Sequence, residues 1–268
     1  MIVRYAEIGL KGNNRKQFEQ QLVRNIKAAL QAHQISFVRV ESRYSRILVQ
    51  TDDDCACLKE VFGISSFSPA LSAGTTVEEA FALVQERVKT KTFRVSCQRV
   101  DKTFSLTSMD FCRLLGAKIV EATGTRVSLK EPETDLAFEI LQGKVYFCHA
   151  TFHGAGGLPV GSAGHVFAIV EQEKDLYAAW LMLKRGCTLT LCCPESLSTA
   201  WLEHYCHGHA LKKIVNLSEI PASILLAVVP DTSTSFKDYS LPCPLVRPLI
   251  GMSDDAITAH LESAMRTV

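Results

Sequence analysis

Long apolar runs are missing from this 268-residue sequence, and none reaches the roughly 18 residues that a membrane-spanning helix needs. The first residues contain neither an extended apolar core nor a small-residue cleavage site, so we expect no signal peptide. Internal repeats and low-complexity tracts are absent as well. The composition is 47% hydrophobic and 21% charged, which is typical of a soluble globular protein, and the length allows two or three compact modules.

A regular cysteine framework is also missing, although the chain has ten cysteines. They are scattered through apolar stretches, as Cys55, Cys97, Cys112, Cys148 and Cys187 show. Such a distribution favours reduced, mostly buried thiols over the disulfides of a small secreted domain. The sequence therefore predicts a cytoplasmic protein.

The net charge is only +1, but the charge is unevenly distributed. Residues 1–165 carry 21 Lys and Arg against 17 Asp and Glu, whereas residues 166–268 carry 8 against 11. An excess of cations in the first part of the chain favours binding to phosphate groups. An ordinary solvated surface is the alternative at this point.

The first 75 residues alternate between strand and helix patterns. Phe18, Leu22, Ile26 and Leu30 recur every four residues and predict a helix from about Arg15 to Gln31. The other predicted elements are strands at Ile2–Leu10, Ser36–Val40, Ile47–Thr51 and Ile64–Leu71, and a helix that starts at Asp52–Asp54 and runs to Phe62. The order β-α-β-β-α-β is that of a ferredoxin-like unit.

A second group of elements follows Gly74. Thr76 and Glu79 have the spacing of a capping box at the start of a helix. The predicted elements are helices at Val77–Lys89 and Ser108–Thr123 and strands at Phe93–Arg99, Val127–Leu129, Leu136–Leu141 and Lys144–His149. The glycine-rich residues 154–161 are interpreted as a linker and hinge.

The last hundred residues predict the start of a parallel sheet. Val166–Val170, Leu176–Arg185 and Cys187–Cys193 form a strand-helix-strand pattern, which requires a parallel crossover. Ile224–Val229 is a further predicted strand, and Asp254–Met265 is a last predicted helix.

Five segments, in the right order, resemble the ThiI-type tRNA 4-thiouridine synthetases. They are Arg4-Tyr5-Ala6-Glu7-Ile8-Gly9-Leu10-Lys11-Gly12-Asn13-Asn14-Arg15, Lys91-Thr92-Phe93-Arg94-Val95 with Arg99, Gly156-Gly157-Leu158-Pro159-Val160-Gly161, Leu181-Met182-Leu183-Lys184-Arg185-Gly186, and Arg247-Pro248-Leu249-Ile250-Gly251-Met252. The resemblance implies an α/β protein with a ferredoxin-like domain (1–75), a THUMP domain (76–161) and a reduced parallel-sheet domain like a PP-loop ATP pyrophosphatase (162–268). In that family the first two domains hold tRNA, and the third adenylates uridine and accepts sulfur through a cysteine.

The PP-loop itself is degenerate. The family has S-G-G-x-D-S between the first strand and its helix, so that backbone N–H groups and serine hydroxyls bind pyrophosphate. This chain has Val170, Glu171, Gln172, Glu173, Lys174 and Asp175 there, with neither glycine nor serine. We therefore predict no ATP or magnesium cofactor. The segment from Cys193 to Arg247 is also short for the family, with no clear counterpart of the sulfur-accepting cysteine, which predicts a non-catalytic domain.

The resemblance and the cationic side chains together predict an RNA-binding track for the acceptor stem. Its predicted members are Lys11, Asn13, Arg15, Arg43, Arg46, Arg94, Arg99 and Lys102. Shape and backbone contacts are expected to dominate such binding to A-form RNA. The histidines in the segment from His204 to His209 suggest zinc, but helical spacing would spread them around the axis, so no metal site is predicted.

The leading hypothesis is a tRNA-binding protein without catalytic activity that acts in tRNA modification. Its predicted partners are tRNA, a separate tRNA-modifying enzyme and a second copy of the chain. One alternative is an active ATP-dependent sulfurtransferase, for 4-thiouridine or thiamine sulfur transfer, with an altered nucleotide site. A structural subunit that caps an active paralogue is the other alternative.

Overall fold

The computed structural model describes residues 1–219, 224, 226–241 and 243–266. Its strands are β1 (Ile2–Arg4), β2 (Arg39–Arg43), β3 (Arg46–Gln50), β4 (Ser66–Ser68), β5 (Ala70–Ser72), β6 (Thr92–Arg99), β7 (Arg126–Val127), β8 (Thr134–Leu141), β9 (Lys144–Cys148), β10 (Phe152–His153), β11 (His165–Ile169), β12 (Thr188–Cys192), β13 (Lys212–Ile214), β14 (Ala227–Val228) and β15 (Leu245–Val246). Its α-helices are α1 (Arg15–Ala32), α2 (Val77–Val84), α3 (Ser108–Thr123), α4 (Leu176–Lys184), α5 (Ala200–Glu203) and α6 (Asp254–Met265). The predicted mixed α/β class is confirmed.

The chain divides into two compact units, each of which is discontinuous in sequence. Unit 1 contains Met1–Val3, Ser42–Leu48 and Phe67–Phe152, and unit 2 contains Arg4–Glu41, Val49–Ser66 and His153–Val268. These units cross the ranges 1–75, 76–161 and 162–268, which were predicted from motifs and stay a prediction. No helix of the described residues is long and apolar enough to cross a membrane.

The N-terminal sheet has the strand order β10-β4-β1-β3-β2. β1 and β3 run antiparallel, with Ile2 opposite Leu48 and Val3 opposite Ile47. The predicted long strand to Leu10 is wrong, because the backbone turns into a 3-10 helix at Glu7–Leu10. Helix α1 follows the predicted range closely and buries Leu22, Ile26 and Leu30.

The helix predicted from Asp52–Asp54 to Phe62 is also different in the structure. Only a 3-10 helix at Ala56–Glu60 forms. The Asp53 carboxylate accepts a hydrogen bond from the backbone N–H of Ser36 at 3.0 Å. The acidic residue therefore holds a neighbouring loop instead of starting an α-helix.

Unit 1 contains a sheet of order β5-β9-β8-β6-β7 with α2 and α3 packed on it. β6 is parallel to β8, and β8 and β9 form an antiparallel hairpin that turns at Gln142 and Gly143, both with positive φ. The predicted capping box at Thr76 and Glu79 is present at the start of α2. Phenylalanines in edge-to-face and tilted contacts, including Phe111 and Phe138, fill the core.

Unit 2 contains a parallel sheet of order β13-β12-β11-β14-β15. β11 and β12 are parallel over five residue pairs, so the predicted strand-helix-strand unit is confirmed. The strand predicted at Ile224–Val229 lies partly outside the described residues, and β14 (Ala227–Val228) is shorter than the predicted range. Helices α4 and α6 contribute Leu183, Ile257 and Leu261 to the apolar core.

The glycine-rich residues 154–161 are tied to their surroundings by backbone hydrogen bonds. The N–H of Gly63 donates to the carbonyl of Gly156 at 2.7 Å, and the N–H of Leu158 donates to the carbonyl of Lys184 at 2.9 Å. Gly157 has a φ of +73°, and a Cβ atom there would lie 2.2 Å from the Lys184 carbonyl oxygen. This segment is therefore a packed part of unit 2, and the hinge interpretation has no support from its contacts.

Candidate functional site

The N-terminal motif places Arg15 at the first residue of α1. Its guanidinium donates to Glu19 Oε1 at 2.7 Å and to the Tyr5 hydroxyl at 2.7 Å. The Tyr5 hydroxyl in turn donates to Glu19. Burial and the neighbouring Glu19 carboxylate raise the pKa of Tyr5 to about 12, so the phenol stays protonated as a donor. Arg15 is thus held in a fixed position, with its side chain about one-third exposed.

The other two predicted residues of the motif are more open to solvent. Asn13 is exposed in a 3-10 helix at Gly12–Asn14. Lys11 is half-buried, and its ammonium lies 5.0 Å from the centroid of the Phe18 ring. A cation held over an aromatic ring keeps its outer side available to a phosphate.

Arg43 and Arg46 flank the hairpin between β2 and β3, but they differ in exposure. Arg43 is exposed, whereas Arg46 is only 7% exposed. The Arg46 Nε donates to Glu139 Oε2 at 2.7 Å, and Glu139 is equally buried. The prediction of Arg46 as an RNA contact is therefore corrected: its guanidinium neutralises a buried carboxylate inside unit 1.

Arg94 and Arg99 on β6 are engaged with their own unit as well. Arg94 pairs with Asp135, which raises the pKa of the arginine, and also donates to the Leu129 carbonyl at 3.0 Å. Arg99 donates to the Leu106 carbonyl at 2.8 Å. These bonds give both arginines a structural role, while both remain partly exposed, so their RNA contacts stay a prediction. Lys102, in the following turn, is exposed.

A further set of cations in unit 1 was missed from the sequence. Lys91, Arg126 and Lys130 are all exposed. Lys91 precedes β6, and Arg126 lies opposite Thr92 on β7, so the two residues meet at the same end of the sheet. The pairing of β6 with β7 brings them together across 35 residues of sequence, which no local pattern could reveal.

The degenerate loop at 170–175 follows β11, at the carboxyl edge of the parallel sheet where α/β proteins bind ligands. Asp175 Oδ2 accepts hydrogen bonds from the backbone N–H groups of Glu171 at 2.9 Å and Gln172 at 3.0 Å. Asp175 is 3% exposed, and burial raises its pKa. The loop donors that would face an anion are therefore occupied by a carboxylate of the chain itself.

Ion pairs surround this loop at the same edge of the sheet. Lys174 Nζ lies 2.8 Å from Asp254 Oδ2, and Lys237 Nζ lies 2.6 Å from Glu171 Oε2. Nearby, Arg247 Nε lies 2.9 Å from the buried carboxylate of Asp231, which also accepts from the Tyr239 hydroxyl at 3.1 Å. The cations at this edge are thus neutralised by carboxylates of the same unit.

The histidines of the 204–209 segment separate into two environments. His204 Nδ1 and His207 Nε2 lie 3.8 Å and 3.7 Å from Glu60 Oε2, beyond hydrogen-bonding distance. His209 Nε2 instead lies 3.0 Å from the Gln21 amide nitrogen. In the part of the chain that the structure describes, no group of three or more His, Cys, Asp or Glu side chains is arranged to hold a metal ion.

Comparison with known proteins links these features to a family. Residues 1–68 match the family model of the ThiI ferredoxin-like domain, and residues 76–149 match that of the THUMP domain. A probable tRNA sulfurtransferase of Brevibacillus brevis is 38% identical over 201 residues, which are 70% of this chain and 50% of that protein. A probable tRNA sulfurtransferase of Thermococcus kodakarensis is 35% identical over 200 residues, which are 69% of this chain and 52% of that protein. The chain spans about half the length of these curated relatives.

Two solved structures share the fold over 98% of this chain. The crystal structure of PH1313 from Pyrococcus horikoshii Ot3 superposes with a TM-score of 0.85, at 26% identity and over 98% of that chain. A 4-thiouridine synthetase in complex with RNA and bound ATP superposes with a TM-score of 0.76, at 23% identity and over 84% of that chain, which shows a common fold. The chain is therefore a ThiI-like protein that carries a ThiI ferredoxin-like domain and a THUMP domain.

Proposed function

We propose that this chain binds tRNA through its ferredoxin-like and THUMP domains and serves tRNA modification without activating ATP at residues 170–175. The matched relatives are named tRNA sulfurtransferases, which supports a role in tRNA modification. A separate tRNA-modifying enzyme would then carry out the chemistry, and a second copy of this chain is a further candidate partner.

The RNA-binding part of the proposal rests on accessible cations and does not depend on Arg46, Arg94 and Arg99, which bond to groups of unit 1. In unit 1 the exposed candidates are Lys91, Lys102, Arg126 and Lys130 together with Arg43 on the hairpin. In unit 2 the candidates are Lys11 and Arg15, which are half-buried, with the exposed Asn13 as a neutral donor. Cations of this kind neutralise phosphates, and because A-form RNA offers its backbone and shape, little sequence preference is expected.

The absence of ATP chemistry rests chiefly on the position of the Asp175 carboxylate. It accepts from the Glu171 and Gln172 N–H groups, which are the donors that a phosphate would need. A triphosphate brought to the loop would meet a buried carboxylate and the Glu171 side chain, and like charges at contact distance repel by about 4 kcal/mol at an intermediate dielectric. We therefore propose that the loop binds neither ATP nor magnesium.

An electrophoretic shift assay with total tRNA, run at low and moderate salt, tests the RNA-binding part. We expect binding that weakens steeply with salt, because each neutralised phosphate contributes close to one unit of the log-log slope. Lys91→Ala combined with Lys130→Ala should reduce both the affinity and the slope. Lys213→Ala, an exposed cation of unit 2 on β13, is the matched control and should change neither. Binding that does not respond to salt would contradict this part.

Calorimetry of the unmodified protein with ATP and magnesium tests the second part. We expect no binding heat, and no thiouridine in a reconstituted assay with a sulfur donor and tRNA. Micromolar ATP affinity would instead favour the alternative, an active tRNA sulfurtransferase with an altered nucleotide site. The two parts can fail separately, since the RNA assay contains no ATP.

A further inference from the structure

Unit 2 contains a cavity of about 800 Å³ that lies apart from the degenerate loop. It is lined by the outer side of α4, by the second half of α6, by residues 153–155 and by Val246 and Pro248. None of the residues 170–175 belongs to its lining. A space of this size is in the range of small-molecule and cofactor sites, which span about 300 to 1,000 Å³.

One wall of the cavity consists of three nearly parallel rings. Tyr177 stacks on Trp180, with ring centroids 5.6 Å apart and an interplanar angle of 16°, and on His260, at 5.7 Å and 9°. Phe62 and Tyr205 pack edge-on or nearly so against the Trp180 ring and fix its orientation. Flat rings that are already oriented form a stacking surface for a planar aromatic group.

The charged side chains that line the cavity are all cationic. Its lining includes Lys184 and Arg185 and the titratable rings of His153 and His260, but no Asp or Glu among the described residues. The Lys184 ammonium lies 4.9 Å from the centroid of the Trp180 ring, so a cation and the stacking surface adjoin each other. The Arg185 guanidinium lies 3.3 Å from the Glu7 carboxylate, and most of the arginine side chain remains exposed. This arrangement favours an anion attached to an aromatic group.

Trp180 joins the ring wall to the cation. Its side chain lines the cavity and is 8% exposed. Three aromatic rings and the Lys184 ammonium hold the indole, so the wall is already ordered before a ligand arrives. A cavity that combines an ordered ring wall with cations differs from an ordinary surface depression.

We propose that the cavity binds a nucleoside 5′-phosphate, with the base on the Tyr177–Trp180 face and the phosphate near Lys184. The ligand is either a free mononucleotide or an unpaired nucleotide of an RNA, because both present the same base and phosphate. None of the proposed tRNA-binding cations in either unit, including Lys11 and Arg15 of unit 2, belongs to the lining of this cavity.

Tryptophan fluorescence tests the proposal, because the chain has two tryptophans and only Trp180 lines the cavity. The Trp201→Phe protein, which retains Trp180, is titrated with uridine and adenosine 5′-monophosphates and with the corresponding nucleosides. We expect the nucleotides to quench its emission, and the nucleosides to require about tenfold higher concentrations because they lack the phosphate. The Trp180→Phe protein, whose only tryptophan is Trp201, should show no quenching.

Calorimetry of the same nucleotides gives the affinities without a fluorescent reporter. Trp180→Phe should weaken binding about threefold to tenfold because the smaller ring offers less stacking area, and Lys184→Gln should weaken it by about tenfold. Lys237→Gln, at the carboxyl edge of the sheet, is the control and should leave the affinity unchanged. If Trp180→Phe does not fold, the comparison of Lys184→Gln with its control Lys237→Gln still tests the site.

A short single-stranded RNA in the same titrations separates the two sources of the ligand. Tighter binding than the mononucleotide, lost again in Lys184→Gln, supports an RNA nucleotide, and equal binding supports a free mononucleotide. Two results would overturn the proposal. One is the lack of any quenching of Trp180 at millimolar nucleotide, and the other is an affinity that Lys184→Gln leaves unchanged.

Discussion

The guanidinium of Arg46 lies 2.7 Å from the carboxylate of Glu139, and both side chains are almost fully buried in unit 1. The two residues are 93 positions apart, so the pair joins the β3 hairpin to the THUMP sheet at β8. Removing one member of a buried ion pair leaves the other charge uncompensated, which is why such pairs matter even when they add little net stability.

Arg46→Ala should therefore destabilise the protein by about 3 to 5 kcal/mol, measured as the free energy of unfolding in urea. Arg43→Ala, on the same hairpin but exposed, is the control and should change it by less than about 0.5 kcal/mol. The double variant Arg46→Met with Glu139→Leu should be more stable than Arg46→Ala, because no unpaired charge remains. Equal stability of Arg46→Ala and the wild type would show that the pair is not desolvated.

Arg99→Ala should lower the melting temperature, because the Leu106 carbonyl loses the donor that lies 2.8 Å away. A hydrogen bond to a charged donor is worth about 1.5 to 3 kcal/mol. Lys102→Ala, three residues further on and exposed, serves as the control in the same thermal unfolding experiment. An Arg99→Ala protein that is as stable as the control but binds tRNA more weakly would return Arg99 to the RNA-binding set.

Asp175 predicts a specific pH dependence of stability. Burial raises its pKa in the folded protein, so the folded state holds the proton more tightly than the unfolded chain does. Its contribution to stability is therefore present at acid pH and is lost as the pH rises through the folded pKa. We expect the unfolding free energy of the wild type, relative to that of Asp175→Asn, to increase as the pH falls from neutrality toward the ordinary range of an aspartate carboxyl.

Asp175→Asn isolates this group, because an amide oxygen can still accept from the Glu171 and Gln172 N–H groups without titrating. Asp175→Ala, by contrast, leaves both donors without their acceptor and should be less stable than Asp175→Asn at every pH. Urea unfolding of the three proteins across the pH range is the measurement. If the difference in unfolding free energy between the wild type and Asp175→Asn stays constant with pH, Asp175 does not have the raised pKa.

Thr76→Ala should destabilise unit 1 by about 1 kcal/mol through loss of the side-chain cap of α2. The Thr76 hydroxyl accepts from the Glu79 N–H at 3.1 Å, and nothing in the substituted residue replaces it. Thr75→Ala is a close control, since the Thr75 hydroxyl lies 3.4 Å from Glu79 and the backbone bond of Thr75 is retained. Hydrogen exchange of the first turn of α2 would show whether the loss is local.

Local signals in the sequence were sufficient for some elements and not for others. Helix α1 and the Thr76 cap were predicted because their determinants lie within a few residues of each other. The acidic run at Asp52–Asp54 misled the prediction, because Asp53 bonds to Ser36 instead of starting a helix.

The candidate site depended even more on distant partners. Asp135 and Glu139 are the acceptors of Arg94 and Arg46, at separations of 41 and 93 residues. Charge counting cannot distinguish an arginine that has such a partner from one that faces solvent. The degenerate loop was recognisable from its residues, but the position of Asp175 on the loop donors required coordinates.

The bond between α1 and the glycine-rich segment has a consequence for the order of folding. Asn25 Nδ2 donates to the Val160 carbonyl at 3.0 Å, across 135 residues, and Gln21 meets His209 across 188. On the ribosome, α1 would emerge long before these partners are made, while all of unit 1 can be completed in the interval. The entropic cost of closing a loop grows only slowly with its length. The large sequence separation nevertheless delays the formation of these contacts. Pulse-labelled nascent chains should therefore acquire a protease-resistant unit 1 before α1 becomes protected.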